Sequence, residues 1–250
     1  MNSFFVEFRL HGYAKTHATR VIWDVARKYH VHGMGRRPVP HFGLYPPEST
    51  RDISDVIRTV EKVGQHYTLV PFSMKGFECY ESTGVIYIDI EPSPVLEQLH
   101  DELTYELNSA LRKTNPKYDL HATIFKGLGN KFDSIWNYVR TQQQPDIDQY
   151  LLRITVLGER RRIICEYDLV LKRVLNRQEA LSQYWWKRTL DEMRRLQGRT
   201  DVWRPLPGET RWRPLPTETR GSRATAKQNV SRHPFIEKWV FNIRRALGLK

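Results

Sequence analysis

A chain of 250 residues, 40% of them hydrophobic, is long enough to bury a core and too apolar to be a disordered chain. Its net charge of +12 favours a polyanionic partner, and no apolar run approaches the roughly 18–20 residues that a membrane helix needs. Two cysteines, Cys79 and Cys165, argue against a disulfide framework and do not make a zinc site by themselves, so a cytoplasmic protein with buried thiols is expected.

Residues 4–10 (FFVEFRL) alternate as a strand does, so the start of the chain reads as a first strand and not a signal peptide. Val21, Ile22, Val25 and Tyr29 have helical spacing over 16–30, and Gly33, Gly35 and Pro38 mark a loop. A strand over 39–45 ends at Pro46-Pro47. Ile53, Val56, Ile57, Val60 and Val63 form the stripe of a helix closed by Gly64. Residues 68–80 and 84–91 predict two antiparallel strands. Ser93-Pro94 is a helix start, a capping hydroxyl followed by a proline whose missing N–H costs nothing there, and Val95, Leu99, Leu103, Leu107 and Leu111 step along the helix by four. A strand over 119–125, a short helix over about 132–141, a hairpin of 150–157 with 162–171, and a helix from about Arg177 to Gln197 complete the compact part, residues 1–198. Arg160-Arg161-Arg162 lies at the hairpin turn, either as a solvated run or as a patch that tracks phosphates.

The order strand, helix, loop, histidine-bearing strand occurs twice, and the spacing repeats. Phe5 to His41 is 36 residues, and so is Val85 to His121. Such an offset is the mark of an internal duplication. Two lobes related by a pseudo-two-fold axis would bring the two histidine strands to one cleft.

Side chains alternate along a strand, so His121 shares a face with Thr123, and His41 with Gly43. An imidazole that moves a proton near neutral pH, with a hydroxyl two residues on that donates to a phosphate oxygen, is a tool for phosphate chemistry. Two such strands supply a base on one side of phosphorus and an acid on the other, which hydrolysis of a cyclic phosphodiester needs. His17-Ala18-Thr19 has the same letters but falls in a predicted helix, where residues two apart do not face together. On straight alternation Tyr45 and Phe125 share the histidine faces and are base-stacking candidates, with core packing as the alternative. Arg9 and Glu7 read as a surface pair.

Residues 1 to about 190 resemble the 2′-5′ RNA ligase family of the two-histidine (2H) phosphoesterase superfamily. The resemblance is carried by FFVEFRL, PHFGLYPP at 40–47, YIDIEPSPVLEQLHDEL at 87–103, DLHATIFKGL at 119–128 and EYDLVLKRVLNRQEAL at 166–181. It implies an α+β bilobal fold of antiparallel sheets with outer helices. It also implies hydrolysis of RNA 2′,3′-cyclic phosphate ends to a monoester, with weak 2′-5′ ligation, and with no metal or other cofactor. His41 and His121 match the catalytic positions, with His121 as the base and His41 as the acid. Thr123 matches a phosphate-binding position, and Lys126 stands where the family often has a basic residue. Gly43 stands where the family has Thr or Ser; its backbone N–H or a water could serve instead, and weakened activity is expected. A non-catalytic RNA-binding protein on a decayed scaffold, and a phosphodiesterase of small cyclic nucleotides or 2′-5′ oligonucleotides, remain alternatives.

The last 52 residues hold 12 Lys+Arg against 4 Asp+Glu, most of the excess charge. Residues 203–211 (WRPLPGETR) and 212–220 (WRPLPTETR) are a nine-residue tandem repeat inside a linker, 199–232, and Pro234 opens an expected amphipathic helix within 233–250. A tolerated linker with a docking helix, an RNA-binding arm, and a peptide ligand for a proline-recognising partner all fit this tail. The expected partner is RNA or a cyclic nucleotide, with no membrane, and the expected state is a monomer.

Overall fold

The computed structural model describes residues 2–31, 39–114 and 119–198. The basic tail with its repeat and terminal helix, and the loop around Gly33, Gly35 and Pro38, lie outside the described residues. In chain order the elements are β1 (Asn2–Arg9), α1 (Gly12–Tyr29), β2 (His41–Thr50), α2 (Ile53–Gly64), β3 (Val70–Tyr80), β4 (Val85–Pro92), α3 (Pro94–Leu111), β5 (His121–Phe125), α4 (Phe132–Val139), β6 (Asp146–Leu151), β7 (Arg153–Leu157), β8 (Ile163–Asp168), β9 (Arg173–Asn176), α5 (Arg177–Ala180) and α6 (Gln183–Leu196). The strands form two antiparallel sheets, β2-β1-β7-β8-β9 and β5-β4-β3-β6. The fold is α+β with outer helices, as expected.

Each histidine begins the edge strand of its sheet. Arg9 on β1 pairs with His41, and Asp89 on β4 pairs with His121. The offset of 80 residues maps one pairing onto the other, so the repeat in the sequence is a repeat in register. The units also interlock. From the first unit, α1 lies over the second sheet, where His17 stacks on Phe77 of β3 with ring centroids 6.1 Å apart and the Tyr29 hydroxyl donates to the Ser134 carbonyl on α4. From the second, α3 reaches β2, where Tyr45 donates to the Asn108 side chain at 2.9 Å. Phe8, Phe42 and Phe72 meet where the two sheets join, at 5.1–5.4 Å. Each contributes roughly 1.5–3 kcal/mol of burial, so this joint is firm.

Several boundaries differ from the sequence expectation for identifiable reasons. β2 runs through Pro46-Pro47 to Thr50 because an edge strand leaves one row of N–H groups unneeded. On α3, Ser93 caps Leu96 N–H at 3.2 Å as expected, but the buried stripe starts at Leu96, while Val95 is exposed. A step of four residues overshoots the 3.6-residue turn, so a stripe drawn by fours drifts off the face. The strand expected over 150–157 is two strands: β6 closes the second sheet, the chain crosses at Leu152, and β7 enters the first. The helix expected over 177–197 breaks at Leu181-Ser182 into α5 and α6, and β9 precedes them. Gly64 ends α2 where the Tyr167 ring fills the space of a side chain.

Candidate active site

β2 and β5 touch across the junction of the sheets, which brings His41 and His121 into one neighbourhood. The backbone holds both rings in the same way. His41 Nδ1 lies 2.8 Å from the Val39 carbonyl, and His121 Nδ1 lies 3.0 Å from the Asp119 carbonyl. In each lobe the acceptor is the carbonyl two residues upstream, again 80 residues apart. An N–H donated from Nδ1 selects the tautomer in which Nε2 carries the lone pair, so proton exchange falls to Nε2 in both rings.

A bulge sorts the residues that follow each histidine. Val6 pairs with Tyr45 but Glu7 with Gly43, which leaves Leu44 as the extra residue. In the second lobe Ile86 pairs with Phe125 but Tyr87 with Thr123, which leaves Ile124 as the extra residue. One extra residue reverses the alternation. Gly43 and Thr123 stay on the side of their histidines, whereas Tyr45 and Phe125 turn into the core and are 0% exposed. Tyr45 stacks on Phe4 with the rings 7° apart. Neither aromatic ring is open to a base, so the base-stacking expectation for Tyr45 and Phe125 is corrected. Straight alternation would send Lys126 to the face away from His121; the same reversal removes that obstacle, and Lys126 is exposed just past the bulge.

The surroundings of the two imidazoles differ. Beside His41 stand ions. Glu7, expected at the surface, is 1% exposed; it accepts from Arg9 Nε at 2.8 Å, and its other oxygen lies 3.4 Å from His41 Nε2. Arg161 Nη1 approaches the same Nε2 to 3.2 Å from a turn 120 residues away, and its guanidinium lies over the Phe5 ring. That turn joins β7 to β8. Arg160 and Arg161 both have φ of 54°, and Arg162 N–H closes onto the Glu159 carbonyl at 3.2 Å, the form of a type I′ turn. Such positions normally take Asn or Gly, and a side-chain-bearing residue there costs about 1–2 kcal/mol. Local strain held in the turn delivers Arg161 to the histidine.

Beside His121 stand aromatic rings. Tyr80 meets it edge-on at 5.5 Å, and Tyr87 lies at 5.1 Å. Burial holds the His121 pKa below 6.5, against the raising pull of the Asp119 carbonyl and the Asp119 and Asp89 carboxylates; His41 adds to the lowering. Burial, with Tyr80 adjacent, pushes Tyr87 up to about 12, so it remains a phenol. Sequence reasoning missed Glu7 and left Arg161 as one member of a basic run. The signal for Glu7 was its place opposite Phe8 in the alternation, on what proves to be the histidine side. Nothing in a sequence signals a contact at a separation of 120 residues. Among the described residues no group of three or more His, Cys, Asp or Glu side chains gathers to hold a metal, and no helix is long and apolar enough to cross a membrane.

Residues 13–161 match the family model described as 2′-5′ RNA ligase superfamily. A protein of Geobacillus sp. (strain WCH70) that bears the name phosphoesterase is 25% identical over 147 residues, covering 52% of this chain and 80% of its own. A second, from Geobacillus kaustophilus (strain HTA426), is 24% identical over the same shares. Among solved structures, a phosphoesterase crystal structure is 14% identical with a TM-score of 0.43, covering 70% of this chain and 95% of its own. The structure of Kluyveromyces marxianus Usb1 is 12% identical with a TM-score of 0.39, covering 62% and 93%.

Proposed function

The chain belongs to the 2′-5′ RNA ligase superfamily, and from that premise we propose that it is a two-histidine phosphoesterase that hydrolyses RNA 2′,3′-cyclic phosphate ends to a phosphomonoester without a metal. The observation that carries this reading is the matched pair of imidazoles on touching edge strands, each with Nδ1 bound to a carbonyl two residues upstream.

The surroundings support one division of labour. His121, kept neutral by burial, takes a proton from water at Nε2 as the oxygen attacks phosphorus. The bond from phosphorus to one ribose oxygen breaks, and His41, protonated at Nε2, gives its proton to that oxygen. The Glu7 carboxylate faces the same nitrogen at 3.4 Å. When phosphate enters, the Arg161 guanidinium exchanges His41 for a phosphate oxygen, which makes it the donor that Gly43 cannot be. Thr123 Oγ1 and the Lys126 ammonium complete the hold on phosphate. With the 5′-hydroxyl of a second RNA in the place of water, the same steps form a P–O5′ bond as the P–O3′ bond breaks and O3′ takes the His41 proton, which would give a 2′-5′ linkage.

The test is hydrolysis of a short RNA ending in a 2′,3′-cyclic phosphate, in EDTA, by the wild-type protein and by His121→Ala. Turnover that survives EDTA and is lost in the variant is the expected result. A wild-type protein that binds the RNA without turning it over would leave the scaffold as an RNA-binding module, and an EDTA-sensitive activity would sink the mechanism.

A further inference from the structure

A hollow opens on the first sheet at Arg9, the register partner of His41. It has a volume of about 320 Å³, at the lower end of the range for ligand pockets. Its floor is the same face of the first sheet: Arg9 on β1, Thr155 on β7 and Glu166 on β8. These residues continue the histidine row, for Arg9 pairs with His41, Glu7 with Thr155, and Thr155 with Glu166. One wall is the start of α1 with Lys15; the other is the break between α5 and α6, with Leu181, Ser182 and Trp186. That second wall lies beyond residues 13–161, the span that the family model matches.

The lining divides into fixed and open groups. Arg153 is fully engaged: it donates to Asp168 at 2.9 Å, Glu166 at 3.1 Å and Thr189 at 2.6 Å, and covers one face of Trp186 at 4.8 Å. It ties α6 to the sheet and holds the wall upright. Glu166 is 6% exposed and accepts one bond at each oxygen, from Arg153 and from Thr155 at 3.1 Å. A carboxylate has about four acceptor directions, so two remain for a ligand. A buried acceptor selects a ligand edge made of N–H donors. Lys15 on the wall and Arg9 on the floor, whose Nε is held by Glu7, supply positive charge, and Leu181, 62% exposed, is an apolar lip.

Arg9 lies one strand spacing from β2, and Thr155 and Glu166 lie two and three, roughly 10–14 Å, which is the reach of the next nucleotide and not of the sugar bearing the reacting phosphate. We propose that this pocket binds the nucleoside next to the reacting RNA end, with its linking phosphate at Arg9 and Lys15 and its base N–H donors on Glu166. Guanine, whose N1–H and N2–H lie side by side, suits a carboxylate best. The inference rests on the phosphoesterase reading for the place of the reacting phosphate.

The experiment is calorimetric titration of the full chain with the dinucleotide GpUp and the mononucleotide Up, each ending in a 3′-phosphate. The expected result is at least a tenfold tighter Kd for GpUp, an advantage erased by Ser182→Trp and by Leu181→Trp. Ser182 makes no side-chain capping bond to α6, and Leu181 is exposed, so neither change removes a fold contact. Glu166→Gln should lower the preference for GpUp over UpUp. Equal affinities, no binding of either, or an advantage that both tryptophan variants leave intact would overturn the pocket. Binding needs no turnover, so a tenfold preference in a protein that hydrolyses no cyclic phosphate would keep the pocket and remove the reaction.

Discussion

The two lobes carry one backbone design and two electrostatic environments. Register, bulge and the carbonyl that holds Nδ1 repeat at an offset of 80 residues. What does not repeat is the chemistry around the rings. Where the first lobe has Glu7 opposite Gly43, the second has Tyr87 opposite Thr123, and only the first receives an arginine from the β7–β8 turn. A duplicated scaffold gives two matched imidazoles; the side chains grafted on it set Glu7 and Arg161 beside one and Tyr80 and Tyr87 beside the other, whose pKa burial lowers. On the proposed mechanism, the difference teaches that the neighbours of the histidines, and not the histidines, set which one is acid and which base.

The largest effect should come from breaking the pair. His121→Ala or His41→Ala should each lower kcat by about 10²–10⁴-fold on an RNA cyclic phosphate, and the double variant should be no worse than the poorer single one. Next comes the donor that only one lobe needs. Arg161→Ala should cost about ten- to a hundredfold in kcat, the worth of one charge-assisted hydrogen bond of about 1.5–3 kcal/mol; an unchanged kcat would return the arginine to the solvated turn. Making the lobes alike sharpens the point. Gly43→Thr should recover several-fold of the rate in the Arg161→Ala background and add little to the wild type; equal gains in both would mean the two donors act independently. The smallest effect is in pH. His121 works when neutral, and burial lowers its pKa, so the acid limb of the kcat/KM profile should fall below pH 6.5, as rates from pH 5 to 8 would show. A limb above 6.5 would deny that His121 is the base.

Much of this was legible in the sequence because it is local. Alternation marked β1 and β5, the Ser93-Pro94 pair marked the start of α3, and equal spacing marked the duplication. What was illegible is what one extra residue or a distant strand decides. Tyr45 and Phe125 read as cleft residues because alternation is counted straight, and a bulge leaves no letter in the sequence. Leu152 gave no sign of the crossing, since buried apolar strands in either sheet look alike from 150 to 157. Glu7 looked solvated because the polar face of a strand reads the same whether it meets water or a cleft.

The crossing at Leu152 has a consequence for the order of assembly. The first sheet holds β1 between β2 and β7, so its earliest strand waits for a neighbour made about 150 residues later. Until then β1 and β2 are a lone two-stranded ribbon, marginal in water. The second sheet, β3 to β6, draws all its strands from one continuous stretch and can form first. During synthesis the half of the molecule that emerges first is therefore the half that is finished last, a topology that slows folding and leaves the second edge of β1 exposed to pairing with other chains until residue 157 is in place.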